Sequence, residues 1–348
     1  MPSISDLVRA LPKVQLHCHL EGSMQAATFR RLAAQYGVES VRAIGPLEAT
    51  YAFADFGEFL LAFAEACRVL RGPEDYASIA RDYARDAATR NVPYAEVFIS
   101  PSVWSYFHRD LDVREAVEAI RAALETERAR GGPEVSLICD LTRNFGPERA
   151  METARIAVQL ATARLGVVGI GLGGDETKYP PELYAGAFAY ARANGLHCVA
   201  HAGEAAGPES VRGAIDVLLA ERIGHGVRAV EDPALVTELA ARRIPLEICP
   251  TSNALTGAAP RSGPHPIAEL DAAGVLCVLD ADDPTFFGTS VDEEYALVES
   301  WLGPEAVTRF ARNAIDASFA HAERKNALHV LLDAALAQQR AGGSAATS

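Results

Sequence analysis

The 348-residue sequence predicts an α/β protein: a closed (β/α)8 barrel of the TIM type, with extra helices after strand 1 and at the C-terminus. Three observations lead there. Eight short, β-branched, nearly apolar runs follow one another along the chain, as expected of parallel strands buried on both faces. Amphipathic helical stretches separate most of them. A doubly wound open sheet is the alternative, but no Gly-rich phosphate turn follows the first run.

The runs are VQLHCHL (14–20), YAEVFIS (94–100), VSLICDL (135–141), VVGIGLG (167–173), LHCVAHA (196–202), RIGHGV (222–227), IPLEICP (244–250) and GVLCVLDAD (274–282). About 70 residues join the first run to the second. This connection holds the aromatic-rich stretch 51–70, which reads either as outer packing or as a lid over the barrel mouth. Residues 73–92 repeat apolar side chains at three- and four-residue steps, and 113–132 do the same before ending at Gly-Gly. Further helices are expected over 147–164, 181–195, 232–243 and 304–338. A single barrel domain is expected over 1–340, with a disordered tail over 341–348.

Composition bounds the function. Hydrophobic residues are 49% of the chain, enough for a large core. The 32 basic and 46 acidic residues give a net charge of −14, the wrong balance for a nucleic-acid binder. No apolar run approaches the ~20 residues that span a bilayer, so no membrane partner is expected. The N-terminus has no signal-peptide pattern. Six singly placed cysteines read as buried, reduced thiols. These features predict a cytoplasmic protein.

The chemistry collects at the C-terminal ends of the runs, where such barrels carry active sites. His17 and His19 are two residues apart, so on a strand both point to one face. His201 and Glu204 end the fifth run, His225 lies in the sixth, and Asp280, Asp282 and Asp283 end the eighth. Three histidines and one carboxylate suit zinc. Cys18 is set aside as a ligand, because alternation turns it away from the histidines. Asp282-Asp283 before Pro284 also reads as a helix cap, with one aspartate doing chemistry as well. Glu204 has a helix-start alternative, and Gly171–Gly174 reads as bare backbone approaching a ligand.

Together LPKVQLHCHLEGS (11–23), HAGE (201–204), RIGHGV (222–227), EICPTSN (247–253) and DADDP (280–284) resemble the adenosine deaminase family of the amidohydrolase superfamily. The resemblance implies a zinc-dependent barrel that hydrolytically deaminates aminopurines, with one Zn2+ per chain held by His17, His19, His201 and Asp282. It implies that Glu204 protonates purine N1 and that His225 orients and deprotonates the attacking water. Asp283 would hydrogen-bond N7, and the Gly174 backbone N–H would contact N3. Adenosine-specific members usually have Asp at the place of Glu21, where it meets the ribose 5′-hydroxyl. Strand 4 usually reads Asp-Leu-Ala-Gly-Asp-Glu, against GLGGDE (171–176) here, and Asp280-Ala281 replaces a pair such as Asn-Thr. The first expectation is adenosine as substrate, with aminodeoxyfutalosine or adenine as alternatives. A homo-oligomer is compatible with all of this. A two-metal hydrolase of the same barrel is disfavoured because strand 4 has no lysine.

Overall fold

The computed structural model describes residues 2–38, 53 and 56–345. Eight parallel strands follow chain order: β1 (Val14–His19), β2 (Tyr94–Ile99), β3 (Glu134–Thr142), β4 (Val167–Gly173), β5 (His197–Ala202), β6 (Arg222–His225), β7 (Leu246–Ile248) and β8 (Cys277–Leu279). Each pairs with the next in parallel. The seam between β8 and β1 is closed by the Cys18–Asp282 bridge. There His19 N–H donates to Asp282 O and Asp282 N–H to His17 O, both at 3.1 Å. The predicted barrel is therefore present, and an expected metal ligand sits in its closing seam.

All six residues of β1, and all six of β2, are buried. The main core lies between the strands and the helices outside them, with a smaller cluster of Phe98, Ile138 and Val199 separate from it. Helix starts follow the local sequence. Asp112 accepts from Arg114 N and Glu115 N at the head of Val113–Arg128. Asp232 accepts from Ala234 N and Leu235 N before Pro233–Arg242.

Three runs end two or more residues earlier than expected, for backbone reasons. β6 stops at His225 (φ +62°) and Gly226 (φ +67°). β7 stops because Pro250 opens a helix, Pro250–Thr256, out of the EICPTSN segment. β8 ends before Asp282, which turns to φ +60°. The expected 181–195 helix begins as a 3-10 turn, Pro181–Tyr184, and becomes α-helical over Ala185–Ala193. The 304–338 stretch divides into Pro304–Ala317 and Ala322–Ala345. The last of these enters the segment expected as a tail, so 341–345 are helical. Residues 346–348 lie outside the described residues. The helix Val291–Leu302 was not anticipated. All six cysteines are free and buried, as expected. No helix among the described residues is long and apolar enough to cross a membrane.

Candidate active site

The strand ends bring His17, His19, His201 and Asp282 together, with one ligand atom from each within 4.8 Å of the others. His17 and His19 come from one face of β1, His201 from β5, and Asp282 from the closing seam. His19 Nε2 and His201 Nε2 are 3.2 Å apart. Asp282 Oδ1 lies 3.5 Å from both His17 Nε2 and His19 Nε2.

The far sides of His17, His201 and Asp282 are held. His17 Nδ1–H donates to Glu247 Oε2 at 2.8 Å, and His201 Nδ1–H to Leu172 O at 3.1 Å. Asp282 Oδ2 accepts from the Ser252 hydroxyl at 2.7 Å. These bonds leave the Nε2 lone pairs facing inward, as a cation requires. His17 Nε2 is buried with no hydrogen-bond partner. An orphaned acceptor facing three more donors is what a metal ion would satisfy, and three imidazoles with one carboxylate suit zinc. Burial, with His17 beside it, holds His201 well below the usual histidine range, and burial holds His19 at about 4. Both rings are therefore neutral, as metal ligands would have to be. A thiol other than Cys18 also lies close, since the Cys249 sulfur groups with His225 and Asp282. Burial pushes that thiol well up, so it stays protonated.

Support extends below the ligands. Glu247 Oε1 accepts from Arg222 Nε–H at 2.5 Å, and Arg222 NH1 donates to Glu96 Oε2 at 2.5 Å. All three side chains are buried. A Cβ on Gly224 would meet His17 Cε1 at 2.7 Å, so the small residue before His225 makes room for the imidazole.

Glu204 and His225 face each other, with Oε2 and Nε2 3.4 Å apart. Burial, with Asp282 adding, raises the Glu204 carboxyl well above its ordinary range. Burial lowers His225 to about 3. A neutral acid therefore meets a neutral base. Asn253 lies 3.0 Å from His225 Nδ1 through its amide nitrogen, and its oxygen is buried and unpartnered. Turning the amide lets that oxygen accept Nδ1–H and leaves Nε2 free as a base.

Glu204 is not at a helix start. It lies in a loop whose Gly203, Glu204, Ala205 and Ala206 N–H groups all donate to Glu176, at 2.6–3.1 Å. Arg143, fully buried, donates to His201 O at 2.6 Å. Sequence reasoning missed both residues. Glu176, the acid that follows the glycine run, was the available signal for one of them.

Asp283 precedes the helix Pro284–Phe287 but does not cap it through its side chain, which corrects the expected cap. Its Oδ1 is buried and unpartnered, and a Cβ on Gly22 would overlap it. Burial, with Asp282 adding, raises this carboxyl well above its usual range. Glu21 is buried; its Oε1 accepts from Ser100 N at 2.9 Å and Trp104 Nε1 at 2.6 Å. It is not among the cavity's described lining residues. Asp280 is buried behind β1, where its Oδ2 accepts from Leu16 N at 2.9 Å.

Over the cluster lies a cavity of about 780 Å³. His19, His201, Glu204, His225, Asp282 and Asp283 line its floor, and Gly173 and Gly174 one side. The helix Phe56–Cys67 supplies Phe56, Phe59 and Phe63, so this stretch lines the mouth instead of packing outside. Residues 51, 52, 54 and 55 of the same stretch lie outside the described residues. Tyr106, Phe107 and Phe145 form another wall.

The model of the family described as adenosine deaminase matches residues 12–335. An aminodeoxyfutalosine deaminase from Streptomyces avermitilis is 36% identical over 333 residues, 95% of this chain and 92% of that protein. An adenine deaminase from Ectopseudomonas mendocina is 36% identical over 318 residues, 90% and 99% of the two chains. The crystal structure of an amidohydrolase from Burkholderia ambifaria with bound Zn is similar with a TM-score of 0.86. It is 30% identical, with 96% of each chain covered.

Proposed function

The chain belongs to the adenosine deaminase family, and from that premise we propose that it deaminates a 6-aminopurine nucleoside carrying a large apolar 5′ substituent, with one bound zinc ion. It is a hydrolase acting on C–N bonds, a deaminase of a small purine-type substrate. The cavity of about 780 Å³ carries the finer reading. That volume belongs with drug-sized ligands, not with a lone bicyclic base, and Phe56, Phe59, Phe63, Phe107 and Phe145 are among its walls. Glu21 is not among the lining residues; its Oε1 accepts from Ser100 N–H and Trp104 Nε1–H, and its Oε2 is buried without a partner.

His17, His19, His201 and Asp282 would hold the zinc. When bound, zinc supplies a Lewis acid that makes water a nucleophile near neutral pH. Purine C6 is a poor electrophile until the ring is protonated. Glu204 carries the proton at its carboxyl and passes it to N1. His225 accepts one proton of the attacking water at Nε2 and passes it to the leaving amine, and the second, left on the C6 hydroxyl, returns to Glu204. Oxygen is added at C6 and ammonia departs. Asp283, kept neutral by burial, donates to N7, and Gly174 N–H reaches N3. The helix Phe56–Cys67 keeps bulk water from the ring.

Ammonia release from adenosine, deoxyadenosine, adenine, methylthioadenosine and aminodeoxyfutalosine tests the substrate. A 5′-modified nucleoside should be preferred, and a preference for adenine or adenosine overturns that reading. Glu204→Gln should fold and load metal, yet lose roughly 10²–10⁴ in turnover. Full activity in this variant would refute the role of Glu204.

A further inference from the structure

Asp140, near the C-terminal end of β3, has no part in the roles above. It is 5% exposed and lines the cavity beside Thr142, Gly173 and Gly174. Its Oδ1 is buried with no hydrogen-bond partner. A buried polar atom left unpaired needs an explanation, and a carboxyl facing a cavity points to a ligand.

The neighbouring strand is shaped around it. A Cβ on Gly171 would lie 2.5 Å from Asp140 Oδ1, and one on Gly173 would overlap Oδ2. The bare backbone of β4 thus leaves the carboxyl its space. Here β3 brings a carboxyl into the space that the glycines of β4 leave empty.

We propose that Asp140 is a specificity-determining residue that contacts the substrate, its carboxyl hydrogen-bonding the C2–N3 edge of the purine, the edge that Gly174 faces. This rests on the reading of the site as one for 6-aminopurines. Burial, with Glu21 adding, pushes the Asp140 carboxyl up to about 8. A neutral carboxyl presents one O–H donor and one C=O acceptor side by side. These match the N3 lone pair and a donor on C2.

The test uses the metal-loaded full chain and two substrates, a 6-aminopurine nucleoside and its 2,6-diamino counterpart. The readout is the ratio of their kcat/KM values, diamino over monoamino. Asp140→Leu should lower that ratio about tenfold, the loss of one hydrogen bond. Asp140→Ala should lower it as well, which covers a leucine variant that does not fold. Asp140→Asn keeps a donor and an acceptor and should restore the wild-type ratio. A fall of threefold or more in the folded leucine or alanine variant supports the proposal. A smaller change overturns it, because a merely structural role would slow both substrates alike. Wild-type protein that releases ammonia from neither substrate would overturn the 6-aminopurine reading itself, and this proposal with it.

Discussion

Glu247→Gln removes one acceptor from a buried relay. Glu247 accepts His17 Nδ1–H through Oε2 at 2.8 Å and Arg222 Nε–H through Oε1 at 2.5 Å. A glutamine offers one acceptor and one NH2 group. With its oxygen toward His17, its NH2 meets Arg222 Nε–H, donor against donor. Reversed, it denies His17 an acceptor and favours the tautomer with the proton on Nε2, the atom that faces Asp282. Either way one charge-assisted bond is lost, worth about 1.5–3 kcal/mol. Glu96 still balances Arg222 at 2.5 Å, so no bare charge remains. The loss stays below the ~3–5 kcal/mol of breaking a buried pair outright. Metal affinity should fall about 10–100-fold, equivalent to roughly 1.4–2.7 kcal/mol. Chelator competition measures the affinity. Melting of the metal-free protein, at roughly 1.4 °C per kcal/mol for a chain of this length, should drop about 2–4 °C. A variant with unchanged melting and metal affinity within twofold of wild type would refute the idea that this relay holds His17.

Two further outcomes follow from packing and charge. Gly22→Ala should displace Asp283, whose Oδ1 occupies the space of the added methyl; kcat/KM should fall at least about tenfold while metal content holds, and unchanged kinetics would show that Asp283 does not touch the substrate. Asp140, raised from 3.8 to about 8, stabilises the fold most below about pH 4 and loses that contribution as pH rises to about 8. Denaturant titrations should therefore show the stability of wild type relative to Asp140→Asn falling across this window, by at most about 1.4 kcal/mol per pH unit, and flat above it. A difference that rises with pH would contradict the sign.

The strands and the cluster of His17, His19, His201 and Asp282 were legible because each depends on local pattern. Apolar runs of fixed spacing announce buried parallel strands, and His17-x-His19 shares a face by the two-residue repeat of any strand. Legibility failed where backbone conformation intervened. Nothing in RIGHGV shows that His225 itself turns to φ +62° and ends β6, and DADDP reads as a capped helix although Asp283 turns toward Gly22. Residues at φ > 0 are uncommon outside glycine, and two of them stand in this site.

By itself, the sequence determined the barrel, the four candidate ligands, the Glu204–His225 pair and the family resemblance, since hydrophobic period and residue type are local properties that survive without coordinates. Only the tertiary structure decided which buried polar groups support that site and which face the cavity. Arg222 with Glu96 and Glu247, the four amides on Glu176, and Asp140 in the gap left by Gly171 and Gly173 are all contacts between different strands and loops. Their charges and hydrogen bonds act through distances of a few ångströms in space, and distance along the chain carries no record of them.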